Sequence, residues 1–318
     1  MPDVIACGEL LIDFIPTTSG LPLIDTPGFL RAPGGAPANV AVGLARLGVS
    51  AGFMGKVGDD PFGRFLARTL QLDGVDTSQL CFDHEARTAL AFVSLTAEGE
   101  RDFMFYRHPS ADMLWRPGEI DPAYVGAARV FHFGSISLIG EPSRSATLRA
   151  VDLARQAGAL ISYDPNLRLP LWPSADAARA GMMVGWRYAD IVKVSEVEVE
   201  FLTGATDLER GIDQLWASGN LRLLVVTLGA EGCLWRTTAG RGRAPGFPVV
   251  TVDTTGAGDG FVAGMLAELL ARGLVIEETA LPEVCRFANA VGALTTTVKG
   301  AIPALPTRAA AVEFLRGR

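Results

Sequence analysis

The sequence predicts an α/β protein: a doubly wound, mostly parallel sheet with helices on both faces and a small extra sheet. Two observations carry this. Short β-branched or apolar runs alternate with longer stretches of helical period, the pattern of successive βαβ units. One region breaks that rhythm, where two strands follow each other across a turn with no helix between them. Among the 318 residues no internal repeat, low-complexity tract or Pro/Ser-rich linker marks a second domain, so the chain is expected to be a single domain.

In chain order, strands are expected at Ile5–Cys7, Gly52–Val57, Val130–Gly134, Leu160–Tyr163, Ile191–Val194, Leu223–Leu228 and Val249–Val252. Helices are expected at Ala38–Leu47, Phe62–Leu72, Arg144–Ala157, Phe261–Ala271 and Pro282–Thr297, where apolar residues recur at three- and four-residue steps. The exception is the hairpin Thr88–Thr96 and Asp102–Arg107 around the turn Ala97-Glu98-Gly99-Glu100. With the strand-like Leu10–Ile15 it can form a small sheet projecting over one edge of the body.

Composition narrows the function classes. With 49% hydrophobic residues the chain can bury a substantial core. The formal charge of −7, from 35 acidic and 28 basic residues without a basic block, argues against nucleic acid as a partner. No apolar run approaches the ~20 residues that cross a bilayer, which argues against a membrane, and the N-terminus lacks a basic, apolar leader. Cys7, Cys81, Cys233 and Cys285 show no metal-ligand spacing and are read as free thiols. A cytoplasmic location is expected. His84, His108 and His132 suit neither a metal nor a triad.

The most informative stretch is Val249-Val250-Thr251-Val252-Asp253-Thr254-Thr255-Gly256-Ala257-Gly258-Asp259-Gly260, an apolar run, a small-residue turn and the start of a helix. Gly256, Ala257 and Gly258 let backbone N–H groups approach an anion, and a helix N-terminus adds partial positive charge. Asp259 then has two readings: a capping residue, or a general base that takes a proton from an attacking hydroxyl. Spacing alone leaves both open. A dinucleotide-binding turn fits less well, because its glycines would open the first βα unit in a Gly-x-Gly-x-x-Gly spacing. No Gly-x-x-x-x-Gly-Lys-Ser/Thr run occurs.

Residues 253–259 match the Asp-Thr-x-Gly-Ala-Gly-Asp signature of the ribokinase-like, or phosphofructokinase-B-type, carbohydrate kinases, and here the chain resembles that family. The family's second signature, a Gly-Gly turn entering a helix with Asn, is present as Gly34-Gly35-Ala36-Pro37-Ala38-Asn39, continuing into Gly55-Lys56-Val57-Gly58-Asp59-Asp60. The resemblance runs from Gly8 to Gly300-Ala301-Ile302-Pro303. It implies a ribokinase-like three-layer α/β/α fold over residues 1–318, with lid strands from about 10–32 and 86–108. It also implies ATP and Mg2+, with K+ as a candidate monovalent cation, and a homodimer paired through the lid.

By the same resemblance Asp259 is the catalytic base, and the amides of Gly256, Ala257 and Gly258 form an anion hole. Lys193, Glu198, Thr227, Gly229, Gly232 and Asn289 fall on the nucleotide side, and Asp253 with Thr255 is a candidate monovalent-cation site. The family's Asn-x-x-Glu run is Ser195-Glu196-Val197-Glu198 here, keeping the acid and replacing the Asn. The sugar side takes Asp13, Gly34, Gly35, Asn39, Arg107, Arg168 and Asp259. Asp13 interrupts the apolar run from Leu10 to Ile15, and Arg168 follows the C-terminal end of a strand, where open sheets place ligand contacts. Phe103 and Phe105 share the face of Arg107 by alternation and are expected either to pack on the ligand or to form the lid's own core.

The run Gly8-Glu9-Leu10-Leu11-Ile12-Asp13-Phe14, the Pro37-containing Gly-Gly motif and Asp164-Pro165-Asn166-Leu167-Arg168 resemble fructokinase-like members. They imply transfer of the ATP γ-phosphoryl group to D-fructose, giving fructose 6-phosphate. The rival substrates are 2-keto-3-deoxygluconate and ribose. From other classes, a non-catalytic sugar- or nucleotide-binding regulator and a Rossmann-type oxidoreductase remain as alternatives.

Overall fold

The computed structural model describes residues 1–18, 20–95 and 101–317, with backbone only at 94, 95 and 101–103. The strands are β1 (Val4–Cys7), β2 (Leu11–Pro16), β3 (Phe29–Gly34), β4 (Ala51–Gly58), β5 (Asp76–Asp83), β6 (Leu90–Leu95), β7 (Arg101–Tyr106), β8 (Val130–Gly134), β9 (Leu160–Asp164), β10 (Ile191–Ser195), β11 (Leu223–Thr227), β12 (Gly232–Arg236) and β13 (Arg241–Pro245). The helices are α1 (Ala36–Arg46), α2 (Pro61–Leu72), α3 (Pro122–Val125), α4 (Ser143–Gln156), α5 (Ala175–Trp186), α6 (Glu196–Thr203), α7 (Leu208–Ala217), α8 (Ala257–Ala271), α9 (Leu281–Thr295), α10 (Ala301–Ala304) and α11 (Arg308–Arg316).

Among the described residues these strands form a nine-stranded sheet in the order β13-β12-β11-β10-β9-β8-β1-β4-β5. It is parallel from β5 to β11 and antiparallel at its β12 and β13 end. The central strands are buried nearly throughout and mostly apolar because helices cover both faces. Alternate residues of β11 enter different cores: Leu223 and Val225 pack with α8 and α9, and Leu224 and Val226 with the cluster that holds Trp186 and Ile212.

Helix α8 is buried on every side, unlike an amphipathic surface helix. Glycines permit its close approach to its neighbours. A Cβ added at Gly43 of α1 would lie 2.7 Å from Ala263 Cβ, and one at Gly264 would lie 3.0 Å from Ala288 Cα of α9. The helix is thereby held with its N-terminus at the C-terminal edge of the sheet.

The second sheet has the order β3-β2-β6-β7, with β2 antiparallel to β3 and parallel to β6. One face carries stacked Phe14 and Phe92 rings at 4.7 Å between centroids, with Phe29 edge-on to Phe92 at 5.3 Å. The expected hairpin exists as β6 and β7; its turn, residues 97–100, lies outside the described residues. Strand β3 extends this sheet to Gly34, beyond the expected limit near residue 32.

Some expectations do not hold. Residues 249–252 are not a strand: Val250 and Val252 are 85% and 61% exposed, and the Val252 and Asp253 amides donate to the Thr296 carbonyl instead of entering a ladder. β-propensity describes a fit to a half-buried pleat, and no neighbouring strand supplies one here. The pattern also missed the mixed-polarity strands at the sheet's two ends, β5 on one side and β12 and β13 on the other, and the helices α5, α6, α7 and α11.

Candidate active site

The Thr254–Gly258 turn lies where two clefts meet, since Thr254 and Gly258 line both. Gly256 is the N-cap of α8 with φ 79°, and a Cβ there would lie 2.7 Å from Ala301 Cβ. Only glycine combines that left-handed backbone with that closeness. Gly256 gives α8 no side-chain cap; the Ala257 amide donates to the Thr254 carbonyl at 3.3 Å, and the start of the helix borders the junction.

Asp259 is 7% exposed in the first turn of α8 and does not cap its own helix. Its Oδ2 instead accepts a hydrogen bond from Asn39 Nδ2 at 2.7 Å, and Asn39 projects from the first turns of α1. Burial pushes the Asp259 carboxyl up to about 6; the Asn39 bond opposes this, the Asp164 charge adds to it, and Lys193 and Arg168 oppose it. A carboxylate so placed is a competent proton acceptor near neutral pH. Of the two readings left open by the spacing, the geometry favours the base.

Lys193 of β10 reaches the same point. Its Nζ donates to Asp164 Oδ2 of β9 at 3.0 Å, and a Cβ on Gly258 would lie 2.9 Å from that nitrogen. Burial works against its charge, but Asp164, Glu198 and Asp259 outweigh it and hold the ammonium above its usual range. Ser195 and Glu198 form a capping box at the start of α6: Glu198 Oε2 accepts from the Ser195 amide at 2.8 Å and from its hydroxyl at 2.9 Å. Glu198 Oε1 accepts from the Leu167 amide at 2.8 Å, which fixes the loop bearing Arg168.

The first cleft, about 340 Å³, is lined by Asp13, Gly35, Asn39, Phe105, Arg168 and Asp259, all expected on the sugar side. Gly34 backs it, since a Cβ there would collide with the Asp13 carboxylate. Lys193 and Glu198, expected on the nucleotide side, line this cleft instead. Arg107 stands apart: it is buried in an ion pair with Asp112, its Nε donating to Oδ2 at 2.8 Å, and lines a neighbouring pocket. The Phe103 side chain lies outside the described residues.

The second cleft, about 520 Å³, is lined by Thr227, Gly229, Gly232, Gly258 and Asn289. Asn289 Nδ2 donates to the Ala244 and Pro245 carbonyls at 3.2 and 3.0 Å, tying α9 to the end of β13. Asp253 Oδ1 accepts from the Thr255 amide at 2.9 Å and hydroxyl at 2.7 Å, and Oδ2 from the Gly300 amide at 2.9 Å. Asp253 and Thr255 are thus a built turn braced against the 300 loop. Among the described residues no group of three or more His, Cys, Asp or Glu side chains could hold a metal.

Sequence reasoning passed over Glu9, Asp112 and Asp164. Glu9 lines the first cleft and is 3% exposed, and its signal was a charge inside the apolar opening run, the same signal that singled out Asp13. Asp164 ends strand β9 and opens the run that leads to Arg168, so its signal was position at a strand's C-terminal end.

Comparison with known proteins shows the family. The family model described as "pfkB family carbohydrate kinase" matches residues 1–308. Fructokinase-2 of Solanum lycopersicum is 54% identical over 316 residues, 99% of this chain and 96% of that protein. Probable fructokinase-3 of Arabidopsis thaliana is 56% identical over 315 residues, 98% of this chain and 91% of that protein. Among solved structures, Xylella fastidiosa fructokinase with bound ATP superimposes with a TM-score of 0.90 at 37% identity, covering 100% of this chain and 99% of that one. Vibrio cholerae fructokinase with fructose, ADP and calcium gives 0.89 at 39% identity, covering 99% of each. With both signatures, the two-sheet fold and a family match over nearly its full length, the chain belongs to the pfkB family of carbohydrate kinases.

Proposed function

We propose that this kinase transfers the γ-phosphoryl group of ATP to the primary hydroxyl of D-fructose, giving fructose 6-phosphate. The observation that carries the reading is the buried Asp259 beside the junction of two clefts, one lined by carboxylate, amide and Arg groups and one by glycines, threonines and apolar side chains. Relatives named fructokinases, and solved fructokinases with ATP or with fructose and ADP, support the choice of sugar and donor.

Each group has its own share of the work. Asp13, Asn39 and Arg168 bind and orient the sugar against the Gly34–Gly35 floor, with Phe105 excluding water above it. Asp259 takes the proton of the attacking hydroxyl, and Asn39 keeps the carboxylate turned toward it. The amides of Gly256, Ala257 and Gly258, with the Lys193 ammonium behind them, stabilise charge on the transferred group. Thr227, Gly229, Gly232 and Asn289 hold the nucleotide. Arg107 acts from a distance, bracing the lid through Asp112.

The donor set around the turn fits a hard cation carried in by phosphate oxygens. Glu198 Oε1 accepts one hydrogen bond and keeps a lone pair, and Mg2+ keeps most of its waters in such sites. When bound, Mg2+ neutralises developing phosphate charge. Asp253 and Thr255 are the proposed K+ turn, supported by a Vibrio cholerae fructokinase double mutant solved with potassium, fructose and ADP. We further propose one catalytic domain in a homodimer paired through the exposed edges of the small sheet, and a cytoplasmic location. Among the described residues no helix is long and apolar enough to cross a membrane.

The test is an ADP-release assay with ATP and Mg2+ across fructose, 2-keto-3-deoxygluconate, ribose and aminoimidazole riboside. Strong turnover on fructose alone is expected. Preference for another sugar would move the substrate, and silence on all of them would favour the non-catalytic regulator.

A pH profile tests the base. With the Asp259 carboxyl near 6, kcat/KM is expected to fall about tenfold per pH unit below that value, because only the ionised form accepts a proton. Asn39→Ala removes the bond that favours ionisation, so the acid limb moves to higher pH. An unmoved limb in that variant would refute the tuning role.

A further inference from the structure

Glu9 has no part in the chemistry above, yet it occupies the crossing point of the molecule. It lies in the connector Gly8–Leu10 between β1 of the large sheet and β2 of the small one. Its Oε1 accepts a hydrogen bond at 3.0 Å from the amide of Ala36, the first residue of α1. That helix start is short of other partners: Gly35 at the N-cap has no side chain, and Pro37 has no N–H. Helix α2, by contrast, is capped from within, by Asp60 accepting from the Phe62 and Gly63 amides at 2.9 Å each. Glu9 does the same for α1 from a different connector.

The backbones touch as well. Gly35 has φ 111°, and a Cβ there would lie 2.4 Å from the Glu9 carbonyl oxygen. The strand running up from Glu9 carries Asp13, and Gly34 packs directly against the Asp13 carboxylate. The helix running down from Ala36 carries Asn39, whose side chain holds Asp259. One hydrogen bond therefore lies between the sugar-orienting carboxylate and the base.

The charged and titratable groups facing Glu9 are Arg107 after β7, Asp112 in the segment beyond it, and the Cys7 thiol of β1. Burial pushes the Glu9 carboxyl up to about 7, opposed by its own amide, by Arg107 and by the Ala36 amide, with Asp112 adding to the rise. The carboxyl is thus half-protonated near neutrality and keeps an acceptor oxygen in either form.

We propose that Glu9 is a positioning residue of the phosphoryl-transfer site, setting the register of Asp13 against Asn39 and Asp259 by accepting from the Ala36 amide. This rests on the sugar-kinase reading above and extends it to a residue outside the signatures. An acceptor at the right length is required, and a charge is not.

The test compares Glu9→Gln, Glu9→Asp and Glu9→Ala with the wild-type enzyme. In Glu9→Ala and Glu9→Asp, which cannot reach the amide, KM for the sugar is expected to rise about tenfold and kcat to fall, while KM for ATP stays within about twofold. Glu9→Gln, which keeps the acceptor, is expected to restore both sugar constants to within about threefold. Equal rises in both KM values would mean a general stabilising role and overturn the proposal, as would a Glu9→Gln enzyme as poor as Glu9→Ala. Hydrogen exchange supplies a readout independent of which sugar is phosphorylated. The amides of residue 36 and of residues 38–40 should exchange faster in Glu9→Asp than in wild-type or Glu9→Gln, with amides 227–232 unchanged. If wild-type is silent on fructose, the substrate assignment fails while exchange still decides the role of Glu9. Should Glu9→Ala fail to fold, the Asp and Gln variants carry the same comparison.

Discussion

Asp259→Asn is expected to lower kcat by about 10²–10⁴-fold, the range general-base catalysis supplies, with KM for sugar and ATP changed little. The substitution preserves shape, and the Asn39 Nδ2 group can still donate to the oxygen of the new amide, so the geometry survives while the proton acceptor is lost. The fold tolerates the change because Asp259 caps no helix and its bond to Asn39 is kept. Steady-state kinetics with isothermal titration of sugar and nucleotide checks it. A variant that binds both ligands and does not turn over supports the base. Retention of more than about a tenth of wild-type kcat would show that another group takes the proton.

Lys193→Met is expected to be the most damaging substitution for stability. Lys193 and Asp164 pair at 3.0 Å with side chains 8% and 4% exposed, and removing one partner of such a pair leaves an uncompensated buried charge. That typically costs about 3–5 kcal/mol. The same change removes positive charge beside Gly258, so kcat should fall even at temperatures where the variant is folded. Denaturant unfolding and single-turnover kinetics separate the two effects. The double variant Asp164→Asn/Lys193→Met should recover much of the stability and none of the turnover. Recovery of both would mean that Lys193 serves only the fold.

What could be read from sequence follows from how much each element depends on its neighbours. β1, β4 and β8 to β11 are central strands covered on both faces, so apolar runs mark them without ambiguity. Edge strands such as β5 and β13 lack that signal, and the exposed valines at 250 and 252 imitate it. The Gly-Ala-Gly turn and Asp259 were legible because their chemistry is local. The partners were not. Asn39 and Asp259 are 220 positions apart, and only the packing of α1 on α8 brings them together. Arg107 illustrates the converse: alternation placed it on a face that suggested the ligand, and Asp112, five residues on, takes the Nε and Nη2 edge of its guanidinium. No pattern of residue types distinguishes a charge waiting for a ligand from one already matched.

The enclosure of α8 has a consequence for how such a protein can be altered. A helix locked on all sides by glycine-mediated contacts presents its N-terminal dipole in the same place in every turnover, so the phosphate-handling half needs no rearrangement at the moment of reaction. On the proposed function, substrate choice would reside elsewhere, on the separate sheet of β2, β3, β6 and β7 and on the loop bearing Arg168. An engineer seeking a new acceptor would vary the small sheet away from its junction with α1 at Glu9, Gly34 and Gly35, while any change that loosens Gly43 or Gly264 would spoil the other half for every acceptor at once.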